Sequence, residues 1–98
     1  MVASDITVKN LADYLKLDYE NLDEEEILEL AAFLNAAETF IIDYTGLTLS
    51  QIDEHESLTV AIYVLVQDMY DNRTYYVDKN NLNRVVSMIL DMHSINLL

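Results

Sequence analysis

Apolar residues recur at helical spacing in four separate stretches of this chain. In the first, Val8, Leu11, Ala12 and Leu15 fall at i, i+3, i+4 and i+7, which marks one buried face of an α-helix. Thr7 stands where a hydroxyl caps such a helix, which should end near Leu17 and leave Asp18–Leu22 as a connection. The second stretch carries Ile27, Leu30, Ala31, Leu34, Ala37, Ile41 and Tyr44 on one stripe. Asp23 and Glu26 form a capping-box-like pair at its start, and Glu24, Glu25, Glu26 and Glu29 sit where the helix dipole favours anions. Gly46 falls where a left-handed C-terminal cap is wanted.

Residues 47–56 read as a loop, after which Ser57 can cap a third helix bearing Leu58, Ala61, Ile62, Leu65, Met69 and Tyr70 on one face. Its segment Val60–Val66 is rich in β-branched residues and taken alone could be a strand, but the helical spacing continues to Tyr70 without a breaker. A loop over 72–79 contains Tyr75 and Tyr76. Asn80 or Asn81 then caps a last helix whose face holds Leu82, Val85, Val86, Ile89 and His93. The expected fold is therefore all-α: a single four-helix domain over residues 1–98, with helices near 7–17, 24–44, 57–72 and 81–93. The second and third should form a long central antiparallel pair, with Ala31, Ala32, Ala36 and Ala37 allowing close approach of their axes.

Two segments break the usual division into a wet and a dry face. Between Leu30 and Ala37 the sole polar residue is Asn35, and between Leu58 and Val66 it is Thr59. A helix apolar on every side has to be covered on every side. In so thin a domain that cover is expected to come from a neighbouring copy, so the pattern points to an oligomer.

Composition sharpens this picture. The chain has 98 residues, 52% of them hydrophobic, with one Gly and no Pro, a balance that suits helices and not the many turns of an all-β fold. Eighteen acids against five bases give a formal net charge of −13, which opposes binding to DNA or anionic membranes through basic contacts. The accompanying Leu, Ile, Val and Tyr residues supply enough apolar surface for folding. Without Cys there is no disulfide, thiol nucleophile or thiolate metal site. The opening Met-Val-Ala-Ser-Asp has no basic segment followed by an apolar one, so no secretory leader is expected, and the longest apolar run is far short of the ~20 residues that span a bilayer.

Covalent chemistry has no visible carrier. His55 lies among Asp53, Glu54 and Glu56, but adjacent loop residues point apart, and it reads as solvated; His93 reads as a hydrogen-bonded rim residue. Asp18 and Glu29 could bound a twelve-residue calcium loop, yet Asp23 stands where its turn needs Gly. Nothing raises one carboxyl of Asp23–Glu26 selectively, as general acid–base work requires, and no phosphate loop, nucleophile elbow or dinucleotide motif is present. No catalytic residue, cofactor or metal is expected. Tyr75 and Tyr76 form an aromatic pair in a loop, and Ile95, Leu97 and Leu98 form an apolar end. Each group either covers the domain's own core or meets a partner.

The order of these features resembles the bacteriophage head–tail connector proteins, a family also described as phage DNA-packaging or head-completion proteins. The likeness starts at Leu11–Asp18, where a short helix ends in Leu15-Lys16-Leu17-Asp18. It continues through the acidic start at Asp23, Ile27-Leu28 and Ala36-Ala37. Its most specific markers are Tyr44-Thr45-Gly46, similar to the family's usual end of the long second helix, and Met69-Tyr70-Asp71-Asn72-Arg73, similar to its Tyr-x-Asn-Arg close of the third. It spans roughly residues 6 to 93. Leu47 replaces the basic residue that family members often carry after the Gly, and the Pro they often place before the third helix is missing, so the 47–56 loop departs from the pattern.

The resemblance implies a structural virion protein, made in the bacterial host cytoplasm. It would form a ring with itself, a dodecamer, beneath the portal, extend the DNA channel and meet the next tail or stopper protein. Double-stranded DNA would pass without specific binding. The acids either line that channel or solvate the outer face. A different class of reading, an acidic DNA-mimic inhibitor of a DNA-binding protein, fits the charge but not the wide apolar belts. A small helical enzyme would need a perturbed acid that the sequence does not show.

Overall fold

A computed structural model describes residues 2–74, 76–77 and 79–94. Among the described residues five helices carry the fold: α1 (Val8–Tyr14), α2 (Glu24–Thr45), α3 (Leu49–Ile52), α4 (Glu56–Asn72) and α5 (Arg84–His93). Short 3-10 turns occupy Ala3–Asp5, Tyr19–Asn21 and Lys79–Asn81, and no strand occurs among the described residues. The Val60–Val66 segment is helical throughout.

Local chemistry explains most boundaries. Thr7 and Asn10 form a reciprocal capping box at the start of α1. Asp23 caps α2 by accepting the Glu26 amide at 2.8 Å, and Gly46, at φ 76°, closes it with a bond from its amide to the Ile42 carbonyl at 2.9 Å. Three expectations need correction. Helix α1 stops at Tyr14, short of Leu17, because Lys16 takes a left-handed conformation at φ 61° without the glycine that would have announced it. The 47–56 loop contains α3, which Thr48 and Gln51 start with a second reciprocal capping box. The caps of α4 and α5 also move: His55 precedes α4 with Ser57 inside it, and Asn83, not Asn80 or Asn81, accepts the Val85 amide at 2.8 Å.

Helices α2 and α4 pack along most of their lengths, and α5 lies against both. Arg73, just past the end of α4, bonds Glu29 near the start of α2, and Phe33 meets Tyr70 edge-on at 6.5 Å, so α2 and α4 run antiparallel. Tyr44 at the end of α2 donates to Asp91 of α5 at 2.6 Å, and His93 of α5 meets Ser57 at the start of α4. Hence α5 runs back along α4. The core joins Leu30, Phe33, Ala37 and Ile41 of α2 to Leu58, Ile62, Leu65, Val66 and Met69 of α4 and Val86 and Leu90 of α5. Leu11 and Ala12 of α1 close one side. The N-terminal turn is held by Ser4, whose amide and hydroxyl donate to the two carboxylate oxygens of Asp53 at 2.9 and 2.6 Å.

The alanine expectation holds only in part. Ala37 is buried and Ala36 half-buried, but Ala31 and Ala32 face solvent, because the buried stripe of α2 is centred on Leu30, Phe33, Ala37 and Ile41. Phe33, left out of the expected stripe, is fully buried. On α5 the expected face is displaced in the same way: Val85 is exposed, and Val86 and Leu90 point inward.

Candidate interaction surfaces

The two markers of the family resemblance have local physical roles. Thr45 is buried; its hydroxyl donates to the Ile41 carbonyl at 2.7 Å and accepts the Leu47 amide at 3.2 Å. It thereby satisfies an amide that the end of α2 would otherwise leave unpaired inside the domain. Replacing Thr45 with Val keeps the shape but removes the acceptor, and should cost about 1–3 kcal/mol. A urea midpoint equal to that of the parent would show that the Leu47 amide has another partner. At the second marker, the Asn72 side-chain amide donates to the Asp68 backbone carbonyl at 2.8 Å, and Arg73 at φ 53° ends α4. The Arg73 guanidinium bonds Glu29 at 2.8 Å and lies 4.5 Å from the centre of the Tyr70 ring.

Tertiary packing brings the two histidines together. Their ring centres are 4.2 Å apart, and His93 Nε2 lies 3.0 Å from Ser57 Oγ. His55 is therefore half-buried in a ring contact and not a solvated loop residue, whereas His93 is the hydrogen-bonded residue expected. Among the described residues no group of three or more His, Asp or Glu side chains could hold a metal ion. Burial, and then the neighbouring His55, push the His93 pKa below the ordinary imidazole value. The unfolded chain then binds more protons than the folded one as pH falls from ~6.5, so stability contributed by neutral His93 is present above that pH and is lost on acidification through the window below it. Thermal melts between pH 7 and 5 should show this decline, and His93→Gln should flatten it; an unchanged slope in the variant would place the proton uptake elsewhere. Burial and then Asp53 raise the Glu38 pKa, and burial and then Asp71 raise that of Asp68. Those two groups act oppositely: their proton uptake favours the folded chain as pH falls through their raised values.

The outer faces are unusually apolar. On α5, Val85, Met88 and Met92 are 59, 61 and 77% exposed at i, i+3 and i+7, forming a stripe opposite the core. On α2, Leu28 is 63% exposed and with Ala32 forms the apolar part of the lining of a shallow groove of about 440 Å³. Asp23, Glu25, Glu26, Glu29 and Arg73 complete the lining. Val60 of α4 is also exposed. A cleft of about 480 Å³ lies between α4 and the segment leading to α5, lined by Leu65, Asp68, Met69, Asn72, Tyr76 and Asn83 among others. Tyr76 is exposed there; Tyr75, Ile95, Leu97 and Leu98 lie outside the described residues.

The exposed stripe on α5 lies outside the apolar belts expected around α2 and α4. Its signal was nevertheless present, since Val85, Met88 and Met92 keep helical spacing on a second face of that helix. No described helix is long and apolar enough to cross a membrane. Compared with protein-family models, curated proteins and solved structures, the chain matches none.

Proposed function

We propose that this protein is a structural subunit of a phage head–tail connector ring, seated beneath the portal, where it extends the DNA channel and joins head to tail. The observation that carries this reading is the set of apolar residues left uncovered on outward helix faces: Leu28 on α2, Val60 on α4, and Val85, Met88 and Met92 on α5. Burying such residues is worth roughly 1.5–3 kcal/mol per large side chain, enough to drive association when several meet a partner. The resemblance at Tyr44-Thr45-Gly46 and at Tyr70, Asn72 and Arg73 adds the identity of the assembly. In this role the subunit performs no covalent chemistry and needs no cofactor. Its partners are other copies of itself, the portal, and the next tail or stopper protein.

The acidic balance suits the channel, because a wall without cations gives DNA phosphates nothing to bind. The alternative, a DNA mimic, leaves the exposed methionines and Leu28 without a role. Negative-stain images of the protein, alone and with portal, test the choice. Rings, expected to be twelvefold on the portal, support the connector. A tight complex with a basic nuclease or repressor as a monomer or dimer, and no ring under any condition, would replace it with the mimic.

A further inference from the structure

Resting on the ring reading, we infer which two faces meet between neighbours: the α5 stripe of one copy enters the α2 groove of the next. The groove's lining combines two apolar residues, Leu28 and Ala32, with carboxylates from the N-terminal end of α2 and its cap. Arg73 is committed to Glu29 and Tyr70, which leaves Glu24, Glu25 and Glu26 without a cation partner among the described residues. The occupant that fits is thus an apolar helix edge with a positive charge at one end.

This chain carries such an edge. Arg84 is the first residue of α5, beside Val85, and is exposed without an ion pair among the described residues. A cation at a helix N-terminus is disfavoured by the helix dipole, so nothing local accounts for it, and an external carboxylate would offset that cost. Both helices present two exposed apolar positions one turn apart: Leu28 and Ala32 on α2, and Met88 and Met92 on α5. Charge then selects the direction. Side by side and parallel, Arg84 meets Glu24 and Glu25, and Met88 and Met92 lie over Leu28 and the small Ala32. Antiparallel, Arg84 would lie at the end of the groove away from those glutamates and gain nothing from them.

The two surfaces are different, and each lies on the side of its helix away from the shared core. A contact between unlike faces is heterologous: it leaves a free groove at one end and a free stripe at the other, so it propagates and closes only as a ring. A stripe-to-stripe contact would instead stop at a dimer. Flexible methionines suit a groove that must accept the same helix at every interface.

The absence of cysteine makes the test direct. Leu28→Cys and Met88→Cys are made as single variants, mixed and oxidised under conditions where light scattering shows oligomers. The expected product is a mixed disulfide dimer, with a ladder of higher species from the double variant. Glu25→Lys should lower the yield of the mixed product although it makes the chain less negative, Arg84→Glu should lower it too, and the two charge changes together should restore it. Circular dichroism verifies that each variant is folded. Disulfides formed only between Met88→Cys chains would overturn the assignment in favour of a twofold contact. Oligomers with no mixed product would overturn it while leaving the ring standing, and a chain that stays monomeric even with portal would remove both.

Discussion

Phe33→Ala should cost about 3–5 kcal/mol of folding stability, a large part of the roughly 5–15 kcal/mol that holds a domain folded. Phe33 is fully buried at the α2–α4 contact, and its ring meets Tyr70 edge-on at 6.5 Å. Truncation removes both the burial of the ring and the aromatic pair, and leaves a cavity that packed helices cannot fully close. Tyr70 in turn lies under Arg73, which bonds Glu29, so the loss should also loosen the tie between the end of α4 and the start of α2. Urea unfolding followed by circular dichroism measures the effect. Phe33→Leu, which keeps most of the volume, should lose much less. Equal losses would show that the aromatic contact, and not the cavity, dominates.

Raising salt should turn a monomer into assembled rings. Each chain carries a net charge of −13, and its extents are 47 × 27 × 18 Å, so neighbours in a ring bring large negative charges close together. The Debye length shrinks from ~10 Å at 0.1 M salt to ~3 Å at 1 M, which removes most of that repulsion across solvent. Apolar contacts at Leu28, Met88 and Met92 are not weakened by the same change. The salt also screens the proposed Arg84–Glu25 pair, but an exposed pair is worth only about 0–1 kcal/mol, so it sets register more than affinity. Low salt and low concentration should therefore give monomers, and high salt, crowding or a portal template should give rings. Such a part would not close into rings before its template is present. Sedimentation across a salt series tests this: oligomers that dissociate as salt rises would mean that ion pairs hold the assembly. Measurable DNA binding by the ring at physiological salt would separately remove the sliding-channel role.

Sequence alone determined the features that depend on neighbours a few residues apart. Asp23 with the Glu26 amide, Gly46 with the Ile42 carbonyl, and the apolar spacing of α2 and α4 are each complete within one or two turns of chain, so the local residues specify them. Thr48 and Gln51 carried the same kind of signal for α3, in a segment that the apolar pattern alone reads as a loop. The stop at Lys16 was not legible, because a left-handed non-glycine residue is held by what surrounds it and has no preference of its own to reveal, whereas α4 ends at Asn72, where the pattern placed it. Which side of an apolar helix is dry was also beyond the pattern. Ala31 falls on the expected stripe and Phe33 beside it, and only the docking of α4 and α5 buries the second and leaves the first in solvent. The bonds Ser4–Asp53, Tyr44–Asp91 and Arg73–Glu29, with separations of 49, 47 and 44 residues, join elements whose order in the chain says nothing of their distance in space. The His55–His93 contact belongs to the same class. Helical periodicity defines a face but not its neighbour; packing several helices around one core decides that, and with it which apolar residues remain for a partner.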